Sequence, residues 1–172
     1  MEEKAEIFLS LGSNLGIRQE NLAGGLGLLI KGGFETTARS SLYETPPLYF
    51  QDQPPFLNAV VRGIYSGSPR DLLGLIAETE RGLGRVRTVP KGPRTLDIDI
   101  LTWGRKIVEE IDLVIPHPGL NERAFVLIPL REISPCFVHP VTNLSINQLI
   151  ESLNKETLFL IKRVGSFPPA LL

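Results

Sequence analysis

Cysteine is nearly missing: the 172 residues contain one, Cys136. A lone thiol excludes an intrachain disulfide framework and suits a reducing compartment. An excess of charge is missing too, with 18 Lys and Arg against 19 Asp and Glu and a net charge of −1. A general nucleic-acid binder would carry a basic footprint, so that class is set aside. No apolar run approaches the roughly 18 residues of a membrane-spanning helix. Met1 to Glu6 holds three glutamates and no apolar core, unlike a signal peptide. No Gly-x-x-x-x-Gly-Lys-[Ser/Thr] loop occurs, which excludes a P-loop nucleotide site. These absences lead to the expectation of a cytoplasmic, single-domain chain over residues 1–172. A chain of that length buries roughly 70% of its unfolded surface without metal or disulfide staples.

What the chain has is proline and glycine, 14 and 16 of them, dispersed rather than clustered. They predict long, shaped loops on a rigid frame. Glu6 to Gly12 reads as a strand, and Arg18 to Lys31 as a helix with Leu22, Leu26, Leu29 and Ile30 at helical spacing. Gly24, Gly25 and Gly27 each weaken that helix by roughly 1 kcal/mol relative to Ala. Phe34 to Tyr43 reads as a second strand, Glu44 to Pro55 as a proline loop, and Phe56 to Ile64 as a third strand. Ser68-Pro69-Arg70-Asp71 is a helix start, with a capping hydroxyl, proline at the first position and an anion where the macrodipole favours it. That helix runs to about Arg81. A basic loop and a fourth strand, Thr95 to Thr102, follow. The tail predicts short helices near Glu122 to Leu130 and Ile146 to Leu153, and a last strand from Leu158 to Val164. The order through strand four is β-α-β-β-α-β. It predicts an α+β, ferredoxin-like antiparallel sheet with helices on one face, plus a C-terminal extension.

Asp97-Ile98-Asp99 breaks an otherwise apolar strand. Residues two apart face the same side, so the carboxylates stand about 6.5–7 Å apart while Ile98 and Ile100 face the core. Two hard oxygen donors on a rigid strand suit Mg²⁺, which takes one or two carboxylates and completes its shell with water and phosphate. The competing reading is a solvated face. Arg85, Arg87, Lys91 and Arg94 fall within ten residues just upstream, and arginine forks match phosphate oxygens. Phe56 and Asn58 share a face of strand three, beside Thr45-Pro46-Pro47-Leu48. An aromatic next to an amide suits a flat heterocycle, and core packing is the competing reading. Phe125 reads as a second ring wall or as helix core. His117, between two prolines, reads as a phosphate donor or as structural. Glu80 orients a loop arginine or is solvated.

Together these residues carry a resemblance. Leu11-Gly12-Ser13-Asn14-Leu15, Tyr43-Glu44-Thr45-Pro46-Pro47-Leu48 and Gln51-Asp52-Gln53-Pro54-Pro55-Phe56-Leu57-Asn58-Ala59 come first. Gly84-Arg85-Val86-Arg87, Gly92-Pro93-Arg94-Thr95-Leu96-Asp97-Ile98-Asp99, Pro116-His117-Pro118 and Arg123-Ala124-Phe125 follow. In this order, from about Leu9 to Leu130, the chain resembles the 6-hydroxymethyl-7,8-dihydropterin pyrophosphokinases of folate biosynthesis. The resemblance implies pyrophosphoryl transfer from ATP to the pterin hydroxymethyl group, giving AMP and the pterin diphosphate, by an enzyme expected to be a monomer. It implies that Asp97 and Asp99 bind two Mg²⁺ ions and that Phe56 and Phe125 sandwich the pterin. Asn58 and the backbone around Thr45, Pro46 and Leu48 would read its polar edge. Glu80, Arg85, Arg94, Ile100, His117 and Arg123 would belong to the ATP side, with Arg85, Arg87, Arg94, Asp97 and Asp99 in the chemical step. Many family members carry a basic–aromatic pair just before the Gly-Pro-Arg stretch, where this chain has Pro90-Lys91.

Two other classes compete: a ferredoxin-like nucleotide- or RNA-binding module without catalysis, and a metal-dependent phosphoesterase built on Asp97 and Asp99. The RNA module would need paired sheet aromatics and a basic face. This chain lacks that signature and its charge is −1.

Overall fold

The computed structural model describes residues 4–48, 51–86 and 89–172. The apolar run at the start makes the central strand, β1 (Ile7–Ser13), buried along its whole length. It is flanked by two antiparallel neighbours, β4 (Phe56–Ile64) and β5 (Asp97–Trp103). Beyond β4 lie β2 (Glu35–Arg39) and β3 (Leu42–Thr45), both antiparallel to it. β8 (Lys162–Gly165) closes that side against β3. The sheet order is β5-β1-β4-β3-β8, with β2 also on β4.

The predicted second strand is split. Ser40 keeps its main-chain bond to Val60 O and adds its hydroxyl as acceptor for Val60 N. Ser41 instead turns its N–H and hydroxyl to the Glu132 carboxylate. A side chain thus replaces the ladder at this point, and β2 and β3 pair with different stretches of β4.

Both faces of the sheet are covered. On one, α1 (Arg18–Lys31) and α2 (Pro69–Gly82) bury Leu22, Leu26, Leu29, Leu72 and Ile76 against Ile7, Leu9, Leu11 and Val61. The expected Ser68 cap starts α2, and Asp71 makes it a reciprocal capping box by accepting from Ser68 N. On the other face, α3 (Ala124–Ile133) and α4 (Ile146–Glu151) pack Val126, Leu127, Leu130 and Leu149 on Phe8, Val60 and Leu101. Helices therefore lie on two faces, not one, and the C-terminal extension is the second layer. Two further predictions need correction. A hairpin of β6 (Val108–Glu110) and β7 (Leu113–Ile115) was not foreseen. The predicted strand from Leu158 begins as helix α5 (Lys155–Phe159), because the Asn154 side chain accepts from Glu156 N and starts a helical turn. No helix among the described residues is long and apolar enough to cross a membrane.

Gly25 and Gly27 of α1 are close-approach positions. A Cβ on Gly25 would lie 2.7 Å from the buried Leu96 side chain, and one on Gly27 only 1.7 Å from the Leu171 carbonyl oxygen. The C-terminal segment lies on this helix, with Leu171 N donating to Ala23 O and Phe167 and Ala170 packed on the core. In a free helix Gly→Ala gains up to about 1 kcal/mol. Gly27→Ala is expected instead to lose about 1–2 kcal/mol by displacing the tail. In a chain ending at Ser166 the same substitution should turn stabilising. Urea unfolding of the four proteins reads this change of sign, and a loss of stability in both backgrounds would refute it.

Candidate active site

The alternation of β5 puts Ile98 and Ile100 into the α1–α2 core and leaves Asp97 and Asp99 on the opposite face, beyond the cover of Leu101. Opposite them on β1 stand Gly12 and Ser10, in register with Asp97 and Asp99 respectively. Their small side chains leave a floor. Across β1, Gly12 is also in register with Asn58 of β4. A Cβ on Gly12 would come within 3.0 Å of Asn58 Oδ1, so the glycine makes room for that amide.

Each carboxylate is met by cations. Arg85 Nη1 lies 2.8 Å from Asp97 Oδ1 and 2.6 Å from Glu80 Oε1. Glu80, 6% exposed, also accepts from Ile98 N at 2.9 Å, so it fixes both the arginine and the strand. Arg94 Nε lies 3.2 Å from Asp97 Oδ2. Arg123 Nη1 is 3.4 Å from Asp99 Oδ2, and His117 Nε2 is 3.6 Å from the same oxygen. His117 Nδ1 accepts from Gly119 N, so the neutral ring carries its proton on Nε2, facing Asp99. Gly119 also makes space for Arg123, whose Nε would be 2.6 Å from a Cβ there.

Burial pushes the Asp99 carboxyl above its ordinary value, and the Asp97 charge adds to the push. His117, Arg123 and Arg94 oppose it without cancelling it. Burial holds the His117 imidazole below its ordinary value against the pull of Asp99. Among the described residues no group of three or more His, Cys, Asp or Glu could hold a metal ion. A closed protein cage for a softer metal is thus not formed. Two carboxylates opening on a cavity fit Mg²⁺, which keeps water and phosphate in its shell.

The cavity also has aromatic walls. Phe56 and Phe125 both line it, and Asn58 Nδ2 donates to Thr45 Oγ1 at 2.8 Å. That pairing leaves Asn58 with one amide hydrogen and its carbonyl for a ligand edge. Arg94 lies over the Phe56 ring at 5.1 Å and Arg123 over Phe125 at 5.8 Å. Each arginine thus spans from a carboxylate to a ring wall.

The structure gathers Thr45, Pro46, Leu48, Phe56, Asn58, Arg85, Arg94, Asp97, Asp99, His117, Arg123 and Phe125 around one cavity of about 270 Å³. Glu80 stands behind it, buried, holding Arg85. Ile100 is not brought in: its side chain is 5% exposed, in the core on the far face. Arg87 lies outside the described residues. The expectations missed Ser10, Gly12 and Gln53, which also line the cavity, and Lys91 of the basic loop lines it too. Small residues at alternate positions of β1, between Leu9 and Leu11, were a readable sign of an open floor. Asn14, given no role by the resemblance, is buried. Its Nδ2 donates to Gln53 Oε1 and Pro54 O, and its Oδ1 accepts from Arg94 N. It ties the proline loop to the basic loop.

Comparison with known proteins points one way. The profile of the 7,8-dihydro-6-hydroxymethylpterin-pyrophosphokinase family matches residues 8–135. The folic acid synthesis protein fol1 of Pneumocystis carinii is 45% identical over 147 residues, covering 86% of this chain and 20% of that protein. The chain thus spans about a fifth of that longer relative. The 2-amino-4-hydroxy-6-hydroxymethyldihydropteridine pyrophosphokinase of Bacillus subtilis is 44% identical over 127 residues, covering 73% of this chain and 76% of the relative. A Plasmodium falciparum HPPK-DHPS structure with pteroate superposes with a TM-score of 0.69 at 16% identity, over 94% of this chain and 47% of that one, a likeness of fold. With the profile over most of its length and a relative of similar extent at 44% identity, the chain belongs to the 7,8-dihydro-6-hydroxymethylpterin-pyrophosphokinase family.

Proposed function

We propose that this chain transfers pyrophosphate from ATP to the hydroxymethyl group of 6-hydroxymethyl-7,8-dihydropterin, a step of folate synthesis, with Mg²⁺ as cofactor. What carries this reading is one cavity lined by two phenylalanine rings, an amide–hydroxyl pair and paired carboxylates among arginines. The pterin hydroxymethyl oxygen would bond to the β-phosphorus of ATP, the bond from that phosphorus to the α-phosphate oxygen would break, and AMP would leave with that oxygen. Two Mg²⁺ ions held by Asp97 and Asp99 would, when bound, neutralise the triphosphate and acidify the attacking hydroxyl.

The rest falls to the chain's own groups, since transfer of this kind needs positioning and charge neutralisation more than covalent chemistry. Phe56 and Phe125 hold the ring, and Asn58 with the main chain around Thr45, Pro46 and Leu48 reads its edge. Arg94 and Arg123 reach both the carboxylates and the cavity, so they can exchange a carboxylate partner for a phosphate oxygen. Arg85, fixed by Glu80, stays as a preset positive charge beside Asp97. His117 offers its Nε2 proton to the nucleotide, and Arg87 is assigned to the chemical step.

We also propose a single ferredoxin-like domain over residues 1–172, supported by β2 and β3 together taking the place of the second strand in the order β5-β1-β4. A cytoplasmic monomer is proposed with it, and the lone exposed Cys136 suits that compartment. The non-catalytic RNA-binding alternative is not favoured, because α3 and α4 cover the sheet face that such a module would offer to bases. The direct test is an assay with ATP, Mg²⁺ and 6-hydroxymethyl-7,8-dihydropterin. AMP should form only when the pterin is present. ATP breakdown without an acceptor would point to a phosphoesterase and overturn the proposal.

Asp97→Asn and Asp99→Asn are each expected to lower kcat at least about 100-fold, or roughly 3 kcal/mol. Asp99→Asn should also raise the unfolding midpoint of the ligand-free protein at neutral pH. A carboxyl held above its ordinary value stabilises the fold while protonated and loses that contribution as pH rises. The gain should therefore vanish below about pH 4, the unfolded carboxylate range. Thermal melts across pH check this, and a midpoint lowered at neutral pH would contradict it.

Phe56→Ala is expected to weaken pterin binding by roughly 1–3 kcal/mol through loss of one stacking wall. ATP binding should barely move. Fluorescence titration of each ligand separates the two, and equal losses would mean that Phe56 supports the fold rather than the slot.

A further inference from the structure

Arg18 breaks a local rule. It is the first residue of α1, a helix start with no side-chain cap, where the exposed N–H groups disfavour a cation. Its guanidinium is engaged elsewhere. Nη2 donates to Glu44 Oε2 at 2.7 Å and Nη1 to Pro55 O at 3.0 Å. Glu44 immediately precedes Thr45, and Pro55 immediately precedes Phe56. Thr45 and Phe56 are the last register pair of β3 and β4, and both line the cavity.

Beyond that pair the ladder has no donors with which to continue. Pro46 and Pro47 leave one strand, Pro54 and Pro55 enter the other, and none carries an N–H. Across the mouth of the ten-residue segment 46–55, side chains rather than main-chain ladder bonds make the links. Asn14 takes the Pro54 carbonyl from one side. Arg18 reaches across the mouth, with one fork tine on each strand end. A guanidinium can do this because its donors are rigid and parallel, whereas an ammonium on a flexible stem is a single point.

We propose that Arg18 is a positioning residue that clamps the mouth of segment 46–55 and thereby sets the slot between Thr45, Asn58 and Phe56. This rests on the pterin reading of that slot. It assigns Arg18 no contact with either substrate, so its loss acts on the heterocycle side and not on the nucleotide side.

The test compares wild type with Arg18→Ala, Arg18→Lys and Glu44→Gln. Hydrogen exchange of the amides in segment 46–55 is followed in the ligand-free protein. Binding of 6-hydroxymethylpterin and of the Mg²⁺ complex of α,β-methylene ATP is titrated separately. Arg18→Ala should speed exchange in the segment and raise the pterin Kd about tenfold, with the nucleotide Kd changed less than about twofold. Arg18→Lys should fall between wild type and Arg18→Ala. Glu44→Gln, which keeps a neutral acceptor, should stay near wild type. Wild-type exchange and pterin affinity in Arg18→Ala would overturn the clamp. So would equal weakening of both ligands with a lowered unfolding midpoint, the sign of general loosening. If wild type itself binds no pterin, the functional reading fails instead, and the exchange data still decide whether the clamp exists.

Discussion

Two like charges stand side by side on a strand whose other residues are buried, and the site depends on how the protein tolerates them. Asp97 and Asp99 face a side of the sheet that also carries Val60 and Leu101 in its apolar layer. They are held there by Arg85, Arg94, Arg123 and His117, drawn from three segments of the chain. Glu80 adds a buried carboxylate behind Arg85, so the cluster alternates in sign from the α2 end outward. Burial, with the Asp97 charge adding to it, still holds Asp99 above its ordinary value. A nearby divalent cation would favour the charged form and oppose that shift.

The aromatic end is arranged by the same groups. Arg94 and Arg123 touch a carboxylate with one part of the side chain and lie over Phe56 or Phe125 with another. Ring walls and charge cluster are therefore not independent modules. Moving either arginine to a new anion also uncovers a ring face, so the two halves of the cavity are linked by the length of an arginine side chain.

Much of this was legible in the sequence because strands alternate. Asp97 and Asp99 two apart between isoleucines, and Phe56 and Asn58 two apart on β4, fixed which side chains share a face before any coordinates. Helix α1 and the start of α2 were readable from leucine spacing and the Ser68-Pro69-Arg70-Asp71 start. The rest was hidden where side chains override the main chain. Ser40 and Ser41 divide one predicted strand by hydrogen bonds to Val60 and to Glu132, 91 residues away in sequence from Ser41. Asn154 turned part of a predicted strand into a helical turn. The second helical layer could not be foreseen from short apolar stretches alone, since nothing local says which sheet face they cover. Ile100 entered the site list through resemblance, and alternation alone would have sent its side chain to the core.

The last residues lie along α1, anchored by Leu171 N on Ala23 O, with Leu172 76% exposed. That helix covers the sheet face opposite to the carboxylates. A polypeptide joined after Leu172, whether a purification tag or a fused enzyme, would leave from the molecule's back. It could be attached without shading the cavity mouth, and the disturbance it brings would fall first on the glycine-lined surface of α1.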